Sequence, residues 1–208
     1  MFQLRGGGGF TLIEMLLVMA VIGIMLAIGV PMMSAWSLSN KAAAASGMYM
    51  EGFQLARQQA LSHNAASRIV LSPLADGRLN WQVDLCFPTS AVPCSDASGG
   101  WSTTTTAADG DPQAGTAFTS VLRTADALPS ADVLQPILVP EGSTSIYFTS
   151  QGWVNTAVAK RLVQIKLVPT ANYSQIPASA VVVNLAGTAS KCNPDAAIVA
   201  ADSRYCSP

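Results

Sequence analysis

Gly9-Phe10-Thr11-Leu12-Ile13-Glu14 opens an apolar run that continues to Val30 and meets Pro31. As a helix, Phe10 to Val30 would extend about 31 Å at about 1.5 Å per residue, enough to cross the hydrocarbon core of a bilayer. Glu14 sits inside this run, near its front. A charge in hydrocarbon costs about 2.5 kcal/mol or more, so an intramembrane glutamate marks a functional position by default. Ahead of the run stand Arg5 and Gly6 to Gly9, a short basic leader that the positive-inside bias keeps in the cytoplasm. Met15 to Asn40 carry no charge at all. Gly23, Gly29 and Pro31 are weak points for a helix, Pro31 because it lacks an amide donor, and a membrane tolerates them as kinks.

Behind Pro31 a second helical pattern runs from about Ser34 to His63. Leu38, Ala42, Ala45, Tyr49, Phe53, Ala56 and Ala60 recur at steps of three and four, which paints one apolar stripe on a helix. Glu51, Gln54, Arg57 and Gln58 fall off the stripe, on the solvated side. Together with the apolar run this predicts a single helix of about 50 residues whose stripe presses on a sheet.

After Asn64 the period becomes strand-like. Residues 68–71, 79–85, 117–122, 145–149, 162–168 and 180–185 read as strands, several of them alternating as half-buried antiparallel strands do. Turn signals separate them at Ala75-Asp76-Gly77, Pro140-Glu141-Gly142, Ser150-Gln151-Gly152 and Ala186-Gly187. The stretch from Ser95 to Gly115, with threonines at 103 to 106, reads as a surface loop. The predicted fold class is α+β, a long N-terminal helix packed on antiparallel sheets. Its divisions are a leader over 1–9, an apolar helix over 10–31, an amphipathic continuation over 32–63 and a β-rich domain over 64–208.

Apolar residues make up 50% of the chain and charged residues 11%, lean for a cytosolic protein. The net charge of −1 argues against a surface built to coat nucleic acid. Cys86, Cys94, Cys192 and Cys206 form an even set without a CxxC pair, and in an oxidising compartment they read as two disulfides. Four cysteines allow three pairings, and nearness in sequence favours Cys86–Cys94 and Cys192–Cys206. Zinc ligation is the competing reading; the wide spacings and the single histidine, His63, speak against it.

The segment Gly9 to Glu14 with its apolar tail resembles the processing motif of type IV pilins and type II secretion pseudopilins. The resemblance implies cleavage between Gly9 and Phe10 by a dedicated prepilin peptidase, methylation of the new amine on Phe10, and an assembly role for Glu14. It implies a single-pass protein of the bacterial inner membrane, its C-terminal domain in the periplasm, that later enters a filament. Its partners would be other pilins or pseudopilins, the peptidase, the inner-membrane assembly platform and the lipid. An ordinary secretory signal peptide cut near Ala42 to Ala45 is the alternative. The length of the run, the position of Glu14 and the lack of a compact core of about 7–15 apolar residues stand against it.

Three further segments, Gln54 to Ala60, Tyr147 to Gly152 and Val182 to Gly187, resemble the GspH/FimT branch of minor pilins. That resemblance implies a low-abundance subunit, a FimT/FimU-like minor type IV pilin, with a GspH-like pseudopilin of type II secretion as the alternative. A DNA-receptor pilin is the third reading. Against it, acids outnumber bases from Asn64 onward, and Gly187 is followed by Thr188-Ala189-Ser190-Lys191 instead of a basic cluster. Lys160, Arg161 and Lys166 are the residues that can share a strand face, with Lys191 nearby.

No catalytic set is legible, and no cofactor is implied. There is one histidine, no Gly-x-Ser-x-Gly elbow and no His-Glu-x-x-His. Gly6 to Gly9 lack the preceding strand and following Lys-Ser/Thr of a phosphate loop. The reading is a structural subunit and not an enzyme. Intact mass of the protein extracted from membranes should therefore start at Phe10 and carry one added methyl group. A mature terminus near Ala45 would contradict this.

Overall fold

The computed structural model describes residues 10–89, 92–95, 98–112, 117–195 and 201–206. Leu12 to His63 form one α-helix of 52 residues, α1. The hydroxyl Oγ1 of Thr11 accepts the amide of Glu14 at 3.3 Å, the Thr-x-x-Glu start that satisfies a donor with no partner inside the helix. The helix continues through Pro31, whose missing amide leaves the carbonyl of Ala27 without its usual donor. It stops at Asn64, which has φ +48°. There the amide of Ala65 donates to Ala60 O at 3.1 Å and that of Asn64 to Leu61 O at 3.4 Å. These two bonds are the six-to-one and five-to-two closures of a left-handed C-terminal cap.

The chain divides into two compact units after Ser39. In the first, the front of α1 exposes Leu12, Ile13, Met15, Leu16 and the apolar residues that follow, to Trp36. By length and composition this helix can cross a membrane. The second unit begins at Asn40, so the back half of α1 belongs to the same core as the strands.

That core uses two antiparallel sheets. The first comprises β1 (Ala66–Pro73), β2 (Leu79–Cys86), β3 (Val121–Arg123) and β5 (Ser145–Phe148), ordered β3-β2-β1-β5. The second comprises β4 (Leu134–Val139), β6 (Gln164–Pro169), β7 (Ser179–Val183) and β8 (Ala189–Cys192), ordered β4-β6-β7-β8. The α1 face turned inward carries Ala42, Ala45, Ser46, Met48, Tyr49, Gly52, Phe53, Ala56 and Ala60. This is the expected stripe with Ser46, Met48 and Gly52 added and Leu38 only half-buried.

Gly52 sets the spacing between helix and sheet. A Cβ there would lie 2.7 Å from Ile69 Cδ1 and 3.0 Å from the Trp81 ring, so the helix backbone rests directly on β1 and β2. Three side chains fasten it there. Trp81 Nε1 donates to Met48 O at 3.0 Å, Ser67 Oγ to Ala56 O at 2.6 Å, and Tyr49 Oη to Leu79 O at 3.0 Å. All three bonds are buried, where an unmade bond would leave a polar group costing about 1–3 kcal/mol.

Two strands are absent from the sequence reading. β4 contains Pro136, which argues against a central strand but is tolerated on the edge position that β4 holds. β8 is short and polar, Ala-Ser-Lys-Cys, with little intrinsic strand preference. The strand expected over 117–122 is replaced by the shorter β3, which starts at Val121 and ends one residue later, at Arg123.

The expected loop between Ser95 and Gly115, as far as it is described, also covers a sheet. Register places Arg68, Asp84 and Tyr147 side by side on one face. Arg68 Nε bonds the buried Asp84 carboxylate at 2.8 Å, and Trp101 of the loop lies over the guanidinium at 4.2 Å, edge-on to Tyr147. Ser102 is buried because its hydroxyl accepts the amide of Leu85 at 2.9 Å.

Cys86 is bonded to Cys94 at the root of this loop, and Cys192 to Cys206 at the C-terminus. The second pair lies against Ala180 and Val182 on one face of the second sheet. With that face covered as well as the inner one, β7 is buried on both sides, which is why Val181, Val182 and Val183 run together.

Burial pushes the Tyr49 phenol up to about 12. Below pH 10 the group is neutral in both states; above it the unfolded chain ionises first. Stability is therefore lost as pH rises from about 10 toward 12, by roughly 2–3 kcal/mol from this residue. Denaturant midpoints across that range should fall less steeply for Tyr49→Phe than for the wild type. Parallel curves would contradict the assignment.

Candidate functional site

The front of α1 is the first candidate. Phe10 is 76% exposed and precedes the helix, and Glu14 stands in its first turn, also exposed. One turn of helix separates the two positions. A carboxylate there also complements the positive end of the helix dipole. Gly9 and the rest of the leader lie outside the described residues.

The second candidate joins the three short motifs read from the sequence. Arg57 was expected on the solvated side of the helix. It is half-buried instead, and its Nε donates to the carbonyl of Gly152 at 3.2 Å. Gly187, at φ +77°, sits against the same group: a Cβ on it would run into Gly152 O and lie 3.1 Å from Arg57 Cδ. A Cβ on Gly152, at φ +74°, would lie 3.0 Å from Leu61 Cγ.

The turns after β5 and β7 therefore meet backbone to backbone, and the end of α1 joins them through the side chains of Arg57 and Leu61. Val154 ties the sheets together beside them, bridging Phe148 of β5 and donating its amide to Leu185 O at 3.0 Å. The arrangement holds the helix end against both sheets and carries no reactive group. Any residue larger than glycine would have to displace the Arg57 bond or the turn itself.

These motif segments fall within the match to a protein-family model, described as type II transport protein GspH, which covers residues 49–187. The chain belongs to the GspH family. A second model, the prokaryotic N-terminal methylation motif, matches residues 5–30. No curated protein and no solved structure matches the chain. The GspH match ends on Gly187, so β8 and the Cys192–Cys206 staple of this GspH chain lie beyond it.

The basic residues do not gather as a strand face. Lys160 and Arg161 precede β6, and Arg161 donates to Val158 O at 3.2 Å. Register sets Lys166 beside Ala180 and Cys192, but Lys191 beside Val181 and Ile165, on the opposite face of the sheet. His63 packs edge-on against Phe118 at 5.6 Å, at the end of α1. Among the described residues no group of three or more His, Cys, Asp or Glu side chains could hold a metal.

The three motifs are legible in the sequence, but their contact is not. The glycines were the available signal, since two turns each ending in glycine can bring backbones closer than any other residue allows. Gly187→Ala in this GspH protein should lower stability by more than about 1 kcal/mol, because it combines a left-handed φ with a clash. Thermal unfolding of the detergent-solubilised chain should show the loss as a Tm several degrees lower. An unchanged Tm would show that the junction yields without cost.

Proposed function

We propose that the protein is a minor type IV pilin of the FimT/FimU kind, a low-abundance filament subunit that takes part in pilus assembly or priming. The observation that carries this reading is the bare front half of α1, without a charge from Met15 to Asn40, with Glu14 four residues behind Phe10. Prepilin peptidase cuts after Gly9 and methylates Phe10. The protein then waits in the inner membrane as a single-pass subunit, its domain in the periplasm.

Assembly answers a physical problem set by Glu14. In a lipid or helix bundle its unpaired carboxylate is costly, whereas pairing it with the N-terminal amine of a neighbouring subunit recovers much of that cost and fixes the register. Other pilins, the assembly platform and membrane lipid are the partners this requires. The subunit does no catalysis and is no DNA receptor. Two disulfides that fasten surface segments onto the sheets suit a filament exposed outside the cell.

A minor pseudopilin of type II secretion is the second reading, favoured by the description of the matching family as a type II transport protein. Shearing filaments from producing cells tests both. The wild-type chain should be found in the sheared fraction in small amounts. Glu14→Ala should still reach the membrane yet be depleted from filaments by more than about tenfold, given the several kcal/mol attached to a broken buried pair. Normal incorporation of the variant would contradict the role of Glu14. Loss of protein secretion in a deletion strain, with surface pili intact, would favour the pseudopilin.

A further inference from the structure

Among the described residues, β8 lies at the end of the second sheet and has β7 on one flank only. In an antiparallel pair, successive residues turn their N–H and C=O groups alternately toward the partner and away from it. The phase is set by two bonds. The amide of Asn184 donates to Thr188 O at 3.1 Å, and the amide of Val183 turns the other way, to Val163 O at 2.9 Å. Continued along the register, Ser190 and Cys192 face β7 while Ala189 and Lys191 face outward.

Asn193, the next residue in the outward phase, shows what this edge accepts. Its amide donates to Arg204 O at 2.7 Å, and it forms a parallel bridge with Tyr205. The chain's own C-terminal segment, fastened by Cys192–Cys206, thus supplies one rung of an added strand. The preceding rungs, at Ala189 and Lys191, have no backbone hydrogen-bond partner among the described residues.

There is room beside them. A cavity of about 380 Å³ lies where Gln54, Gln58 and Leu61 of α1 face Gly187 to Ala189, and one of about 360 Å³ lies between Ala43, Lys191 and Arg204. On the helix side, a Cβ on Gly47 would meet nothing within 4 Å. Lys191 is exposed and makes no ion pair among the described residues, whereas Arg204 is held by Asp202 at 2.8 Å.

We propose that the outer edge of β8 takes an extended segment of another polypeptide as an added strand, through the outward N–H and C=O groups of Ala189 and Lys191, with an acidic side chain of that segment against Lys191. Strand addition draws its affinity from backbone bonds and its selectivity from alternate side chains. The acidic occupant follows from Lys191. Self-pairing of two β8 edges would set two Lys191 side chains on neighbouring positions of one face, which is how a lysine on an edge strand discourages a second copy. The proposal holds whichever filament the subunit joins.

The test uses the full chain in detergent micelles and a fluorescent eight-residue peptide of alternating Thr and Val with one central Glu. A second peptide carries Lys in place of that Glu. The acidic peptide should bind at least about tenfold more tightly, an effect of the size of one charge contact. Its binding should slow hydrogen exchange at the amide of Lys191. Lys191→Pro removes the outward donor and no β7–β8 ladder bond, so it should abolish binding while leaving Tm unchanged. Lys191→Glu, which keeps the donor, should invert the preference between the peptides and carries the test should the proline variant fail to fold. Equal affinity for the two peptides, no binding of the acidic one, or undiminished binding by a folded Lys191→Pro overturns the proposal. Dimerisation of the chain alone through this edge overturns the choice of occupant.

Discussion

A helix can lie on a sheet at backbone distance only where it has no side chain to hold the two apart, and α1 meets that condition at Gly52. Ile69 and Trp81 fill the space a Cβ would need. Once the helix is that close, Trp81, Ser67 and Tyr49 reach backbone carbonyls across the interface, so the seat is specified by polar bonds as well as by burial. These contacts all fall in the back half of α1. The front half of the same helix exposes its apolar residues on every side, from Leu12 to Trp36. A surface of that kind has to be covered by lipid or by other helices.

The strands behind this seat are short, and several gain their burial from irregular segments laid over them. Trp101 covers the Arg68–Asp84 pair on the first sheet, close to the Cys86–Cys94 staple. The C-terminal segment does the same on the second, where Cys206 lies with Ala180 and Val182. Closing the 14-residue separation of Cys192 and Cys206 removes unfolded-state freedom worth about 3 kcal/mol on the chain-entropy model. The junction of Arg57, Gly152 and Gly187 then fixes the end of the helix to both sheets. The domain is thereby held at the helix seat, at the junction and under two staples.

Much of this was legible in the residues because it rests on periodicity. The stripe from Ala42 to Ala60 announces a buried helix face, and the uncharged run before it announces a bare one. The alternating runs over 68–71 and 79–85, with the turn Ala75-Asp76-Gly77 between them, announce β1 and β2. What escaped depends on contacts remote in sequence. Arg57 looks solvated until Gly152 arrives 95 residues later. Pro136 hides β4 because a proline in the middle of a strand is tolerated only at an edge or a bulge. The Ser/Thr-rich loop looks featureless until Ser102 and Trp101 find Leu85 and Arg68. Lys166 and Lys191 can be imagined on one face only while the register is unknown, since one residue of shift moves a side chain across the sheet.

α1 is a single element with two environments: its back half is buried in the domain, and its front half is exposed, apolar and long enough to cross a membrane. Alkaline carbonate extraction of membranes from producing cells tests it most directly. Peripheral proteins are stripped by this treatment, while a helix whose apolar front half sits in hydrocarbon is held there by burial. The chain should stay in the membrane pellet and enter solution only with detergent. Quantitative release into the alkaline supernatant would contradict it.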